Sequence, residues 1–201
     1  MDVIRAEDSE RLGPIPEAAM SEAQRAAAAE LCATPRGSVF GPFMVMLRSP
    51  DVLNHAQRLG NYLRFSSILP HKLREMAMLI TGRYWQQPFV WYVHEPVARQ
   101  KGLSDEIIRS IATARRPASM DTEETEIYDF CTELFVGKRV SDASYDPVLQ
   151  RFGENGVVEL VAIMGYFGLL AMMMDVARTP LPADGDFVTP FVLTKTERAR
   201  A

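Results

Sequence analysis

Cysteine is scarce in this sequence, with only Cys32 and Cys131 among 201 residues. They lie far apart and form no CxxC, which excludes a disulfide scaffold, a thiolate metal site and a dithiol redox motif. Each thiol reads as a small buried hydrophobe in a reducing, cytoplasmic setting. Positive charge is not in excess: 22 Lys and Arg stand against 26 Asp and Glu, a formal net charge of −4. That argues against a general nucleic-acid binder, though a local pocket of arginines for an acidic substrate stays open. The longest uncharged run, Leu160–Met174, has fifteen residues, short of the roughly 20 that a bilayer span needs. The first residues, MDVIRAEDSERLG, lack an apolar stretch, so neither a secretory signal nor a membrane partner is expected. No persuasive strand pair and no internal repeat is present.

What the chain has in quantity is helical patterning. Its length predicts one all-α domain over 1–201, with a polar lead-in at 1–15 and an extended tail at 178–201. A helix is expected from Pro16 to Ala33, then a loop over 34–48 that delivers Phe40, Phe43, Met44 and Met46 to a core or a pocket wall. Ser49-Pro50 predicts a helix start, with Val52, Leu53, Ala56, Leu59 and Leu63 on its inward face and His55 beside it. Ser104 caps a helix over 105–114. Asp121 and Glu124 have capping-box spacing and open a helix to about Phe135, stopped by Gly137. A short helix from Ser141 or Asp142 to near Arg151, broken by Pro147, precedes a long apolar helix opening at Asn155 or Gly156. That helix is either central to the core or shared with a second subunit.

The chain is organised around Leu69–Ser104. Pro70 suits a first helical position, and Leu73, Met76, Ala77 and Ile80 follow at helical spacing. Gly82 weakens this helix, and a second begins near Pro88 and ends at Gly102 in a C′ position. Glu75 lies seven residues before Gly82 and His94 six after Pro88, each roughly 10 Å from the turn. In an antiparallel hairpin the two side chains therefore sit at about the same height. Two readings of the pair are open: an acid–base couple, or a solvated glutamate and a hydrogen-bonded core histidine. Trp85, Phe89, Trp91 and Tyr92 surround His94 in sequence and suit either a core or the wall of a dry pocket. Pro96 removes a donor to the Tyr92 carbonyl and predicts a kink beside the histidine.

The order LPHKLREMAML, YW, Trp91-Tyr92-Val93-His94-Glu95-Pro96-Val97-Ala98, Lys101-Gly102-Leu103-Ser104 resembles the carboxymuconolactone decarboxylase family, which includes the alkylhydroperoxidase-D-like proteins. The resemblance implies an all-helical fold with a central antiparallel hairpin, assembled as a homo-oligomer (dimer, trimer or hexamer). In the peroxidase branch a CxxC places cysteines seven and four residues before the histidine; here those positions are Gln87 and Val90. The resemblance therefore points to the decarboxylase branch, whose chemistry needs neither a metal nor an organic cofactor. His94 and Glu75 are the implied catalytic residues, with His94 donating a proton and Glu75 orienting it and raising its basicity. A small-molecule carboxylate is the implied partner, held by Arg83 and Arg74 within walls of Trp85, Trp91 and Tyr92. An alkylhydroperoxidase-like redox protein without the CxxC, and a non-catalytic oligomeric binding protein, are the alternatives.

Overall fold

A computed structural model describes residues 9–182 and Phe191, and every regular element among them is helical. A single 3₁₀ turn, Glu17–Ala19, precedes α1, Glu22–Cys32. The break between them follows from Ser21, whose hydroxyl accepts from the Gln24 N–H while the Gln24 side chain accepts from the Ser21 N–H. That capping box starts the helix later than the Pro16 expected from composition. The short α2, Pro42–Met46, lies within the expected loop and buries Phe43 and Met46.

Helix α3, Pro50–Asn61, opens at Ser49-Pro50 and buries Leu53 and Ala56 as expected, with Leu63 buried just beyond it, but the inward face is shifted at two positions. Leu53, Ala56, Gln57 and Gly60 are buried, whereas Val52, Leu59 and His55 are exposed. The reason lies in Gly60: a Cβ built there would stand 2.1 Å from the Tyr166 hydroxyl oxygen, so this glycine must face the core. A π-helical turn, Tyr62–Ser66, then widens the end of the helix.

The hairpin consists of α4, His71–Tyr84, and α5, Pro88–Gln100. Pro70 caps α4 rather than entering it, with an extended ψ of 139°. From Leu73 to Arg83 every residue of α4 is buried, because α5, α6 (Asp105–Ala112), α7 (Thr122–Gly137) and α8 (Asp142–Ala177) all pack on it. Gly82 does not weaken the helix; it is where the two arms of the hairpin meet. A Cβ there would come within 2.9 Å of Val90 Cγ1, so any larger residue would push α5 away. Gly102 closes α5 at φ +92°, with its N–H on the Arg99 carbonyl. Helix α5 continues through Pro96, which lies on its exposed side.

Helix α6 is capped by Ser104 and α7 by Asp121 with Glu124, as their sequences predict. Lys138, in the left-handed region at φ 56°, terminates α7 one residue beyond Gly137. Helix α8 tolerates Pro147 near its start. Its break is at Gly153, whose φ of 67° and ψ of −179° separate an opening segment from the long apolar one. By length and composition α8 could cross a membrane, but 56% of its most apolar window is buried inside the fold, which marks a core helix. The outward side still exposes Val158, Val161, Met172 and Val176. The apolar FVTPFVL segment of the tail lies, apart from Phe191, outside the described residues.

Candidate active site

The hairpin brings Glu75 and His94 together. Each sits about two turns from the connection, on facing sides of α4 and α5, and Glu75 Oε2 lies 2.7 Å from His94 Nδ1. Both side chains are withdrawn from water, Glu75 completely and His94 to 4% residue exposure. The second carboxylate oxygen is also engaged: Glu75 Oε1 is 3.1 Å from Nε2 of His71, one helical turn earlier and half-buried. One buried carboxylate thus spans two imidazoles, and only His71 reaches solvent. The Phe167 ring of α8 meets the His94 ring edge-to-face at 4.8 Å.

Charge within this group follows from its surroundings. Burial alone would raise Glu75, but the His94 imidazole, Arg64 and His71 outweigh it and hold the carboxyl below its ordinary range. Burial pushes His94 down; Glu75 opposes this, and the Arg64 and Arg36 guanidinium groups reinforce it. At neutral pH the pair is therefore an ionised Glu75 and a neutral His94. An ionised carboxylate only accepts, so Nδ1 carries the hydrogen and donates it, leaving the Nε2 lone pair free. Glu75 raises the basicity of His94 as expected, but burial, reinforced by Arg64 and Arg36, outweighs it.

His94 lines a cavity of about 30 Å³ together with Phe43, Phe89, Val90 and Phe167, and with Arg36 and Arg64. The other residues singled out in the sequence lie elsewhere. Arg74 is buried, but its Nη1 donates to the carbonyls of Leu63 and Arg64 at 3.3 and 2.7 Å, pinning the π turn. Arg83 donates from Nε to the Ala112 carbonyl at 2.9 Å and stacks over Phe191. It borders a separate cavity of about 530 Å³ between α4, α6 and α7. Trp91 is fully buried, its Nε1 on Glu95 Oε2 at 2.7 Å. Trp85 meets Tyr84 edge-on and packs by Gly168, and half-buried Tyr92 leans on Phe89. None of these five lines the cavity beside His94.

Arg36, Arg64, His71 and Phe167 are functional candidates that spacing does not reveal. Arg36 sits in an irregular Pro/Gly loop, and Arg64 reaches the cavity only because the chain adopts a π turn. Cys32 is exposed rather than buried, since α1 ends there, and Cys131 is buried with its thiol pushed far up by burial. Neither cysteine lines the cavity. Among the described residues, no three His, Cys, Asp or Glu side chains are disposed to hold a metal ion, the His71–Glu75–His94 set included.

No protein-family model and no curated protein matches the chain. Two solved structures are similar to it. One is the alkylhydroperoxidase AhpD core of an uncharacterized peroxidase-related protein from Ralstonia eutropha, with a TM-score of 0.68 at 18% identity, covering 86% of this chain and 93% of the other. The second is a protein of unknown function from Agrobacterium tumefaciens, assigned provisionally to the AhpD antioxidant defence proteins. It has a TM-score of 0.59 at 16% identity, covering 69% of this chain and 96% of the other. The resemblance carried by the hairpin residues and the likeness of the whole backbone agree: this chain has the alkylhydroperoxidase-D-like helical fold.

Proposed function

We propose that the protein is a cofactor-free carboxy-lyase of the carboxymuconolactone decarboxylase kind, acting on a small carboxylated lactone or a related acid. The observation that supports this is the 2.7 Å contact between two buried ionisable groups, Glu75 and His94, the second of them facing a cavity. A buried carboxylate–imidazole pair serves proton transfer, because the carboxylate fixes the tautomer and compensates the imidazolium when it forms. In such a reaction the C–C bond to the carboxylate breaks, CO₂ leaves, and the electron pair delocalises into the unsaturated ring as an enolate. His94 then delivers one proton to carbon, and solvent restores it. Burial of the pair keeps water from competing for that proton.

A second reading draws on the descriptions of the two structural neighbours as AhpD-like and peroxidase-related. Peroxide reduction by a dithiol needs a thiolate and a resolving partner. At the corresponding positions Gln87 donates to Asp175 Oδ1 at 2.5 Å and Val90 forms part of the cavity wall. The lyase reading is accordingly preferred.

Turnover of 4-carboxymuconolactone separates the two readings. The expected result is enzyme-dependent CO₂ release at the same rate in wild type and in the Cys32→Ser, Cys131→Ser double variant. A hydroperoxide reductase activity present in wild type and lost in the double variant, without CO₂ release, would establish the redox reading instead.

A further inference from the structure

The lining of the cavity beside His94 includes two cationic side chains, Arg36 and Arg64. Arg36 is held by Nε, which donates to Asn61 Oδ1 at 3.0 Å, and its guanidinium carbon lies 4.6 Å from the centre of the Phe43 ring. Its Nη2 is buried and has no hydrogen-bond partner among the described residues. The Tyr166 hydroxyl, on a side chain 4% exposed, is likewise buried and unpartnered among them. Burying such groups without partners is costly, and an anion beside Arg36 would supply the missing acceptor.

Three features of the fold place Arg36, Arg64 and Tyr166, of which the two arginines line the cavity. Gly60 leaves the space that the Tyr166 hydroxyl occupies, since any Cβ would overlap it. The π turn Tyr62–Ser66 carries Arg64 into the lining, and Arg74 occupies the carbonyls of Leu63 and Arg64. The loop of Gly37 (φ +73°) and Gly41 (φ +53°) folds Arg36 back over Phe43. Arg36 and Arg64 are near enough to act electrostatically on each other, on Tyr166 and on His94. The charged groups acting on His94 are Glu75 from α4, Arg64 from the π turn and Arg36 from the loop. Glu75 is already shared by two imidazoles, and among the described residues neither guanidinium group forms an ion pair with an acid.

We propose that Arg36 and Arg64 bind the carboxylate of an anionic substrate beside His94, with Tyr166 as a neighbour of the two guanidinium groups. Guanidinium forks match a carboxylate in shape and charge. The cavity, about 30 Å³, accommodates roughly two water molecules' worth of volume, the scale of one carboxylate group. The rest of the molecule extends toward Phe40, one of the half-exposed members of the lining. The bound anion also changes the chemistry: its charge offsets the two arginines, so His94 holds a proton more readily when the anion is bound. Naming this anion as substrate rests on the lyase reading; its binding does not.

Formate is a suitable probe because it is little more than the carboxylate itself. It is titrated into the full-length protein at fixed ionic strength, with chloride replaced by formate, while the His94 imidazole is followed by ¹⁵N NMR. Saturable binding with a rise in the His94 pKa is expected in wild type. Arg36→Gln and Arg64→Gln should each weaken binding about tenfold or more, the size of one charge-assisted hydrogen bond. Tyr166→Phe keeps the buried ring and should weaken binding less, which covers the case in which an arginine variant fails to fold. His94→Asn should still bind formate by calorimetry. A catalytically silent protein that binds formate in this pattern contradicts the lyase reading and leaves the anion site standing. Absence of saturable binding to folded wild type, equal affinity in the arginine and tyrosine variants, or an identical response to chloride overturns the site.

Discussion

His94→Ala is expected to lower kcat by about 10²–10⁴-fold, the usual contribution of a positioned general acid or base, with KM changed far less. The imidazole acts on the proton in the transition state, while the carboxylate of the substrate is held by other groups. Glu75→Gln keeps shape and removes charge. Because Glu75 is what favours imidazolium against burial and the two arginines, His94 basicity should fall further. The sign follows from proton uptake: decarboxylation consumes one proton, so kcat/KM should decline as pH rises above the His94 pKa of the free enzyme, itself below the ordinary 6.5. In Glu75→Gln that decline should begin at a lower pH, alongside a lower rate. Initial rates across pH on all three proteins check both statements. A His94 that only fills the core would give full specific activity in the folded fraction of His94→Ala and a reduced thermal midpoint.

The largest loss of stability is expected at Trp91→Ala. This indole is fully buried between the hairpin and its neighbours, donates to Glu95 at 2.7 Å and meets Phe191 edge-to-face at 5.3 Å. Truncating a buried tryptophan to alanine costs about 3–5 kcal/mol through lost burial and a residual cavity. In a chain of this length that corresponds to a fall of roughly 6–20 °C in Tm. Glu95 is not stranded by the change, since Arg99 lies 2.9 Å from it. Trp91→Phe, which retains an aromatic ring, should lose considerably less. Calorimetric melting of the two variants is the check. If Trp91 instead walls a substrate site, Tm would stay near wild type while KM rises.

The helices and the height of Glu75 against His94 could be read from the sequence because both are local quantities. Caps at Ser104 and Asp121 and the stop at Gly102 depend on a few neighbouring residues, and the hairpin needs only two helix lengths and a short turn. What depends on distant partners was not legible. The inward face of α3 is chosen by the Tyr166 hydroxyl, which arrives from a helix a hundred residues away in sequence and selects Gly60 over Leu59. Gly82 reads as a weak point until Val90 is seen against it. Arginines carry no periodic signal, so Arg74 and Arg83, adjacent to the motif, were favoured over Arg36 and Arg64. Those two reach the cavity through a loop and a π turn. The aromatics divide between the two roles open to them: along α5 Phe89 faces the cavity with Val90 and Val93, whereas Trp91 points into the core. The basicity of His94 does not follow from Glu75 alone because burial, and then two cations from other segments, oppose it.

The most direct test of the account is a ¹⁵N NMR titration of the His94 side chain in wild type and in Glu75→Gln, without substrate. The buried pair predicts a neutral ring at pH 7 with its hydrogen on Nδ1, a pKa below 6.5, and a further drop in Glu75→Gln. A His94 that titrates at or above 6.5 and does not respond to the loss of the Glu75 charge would contradict it.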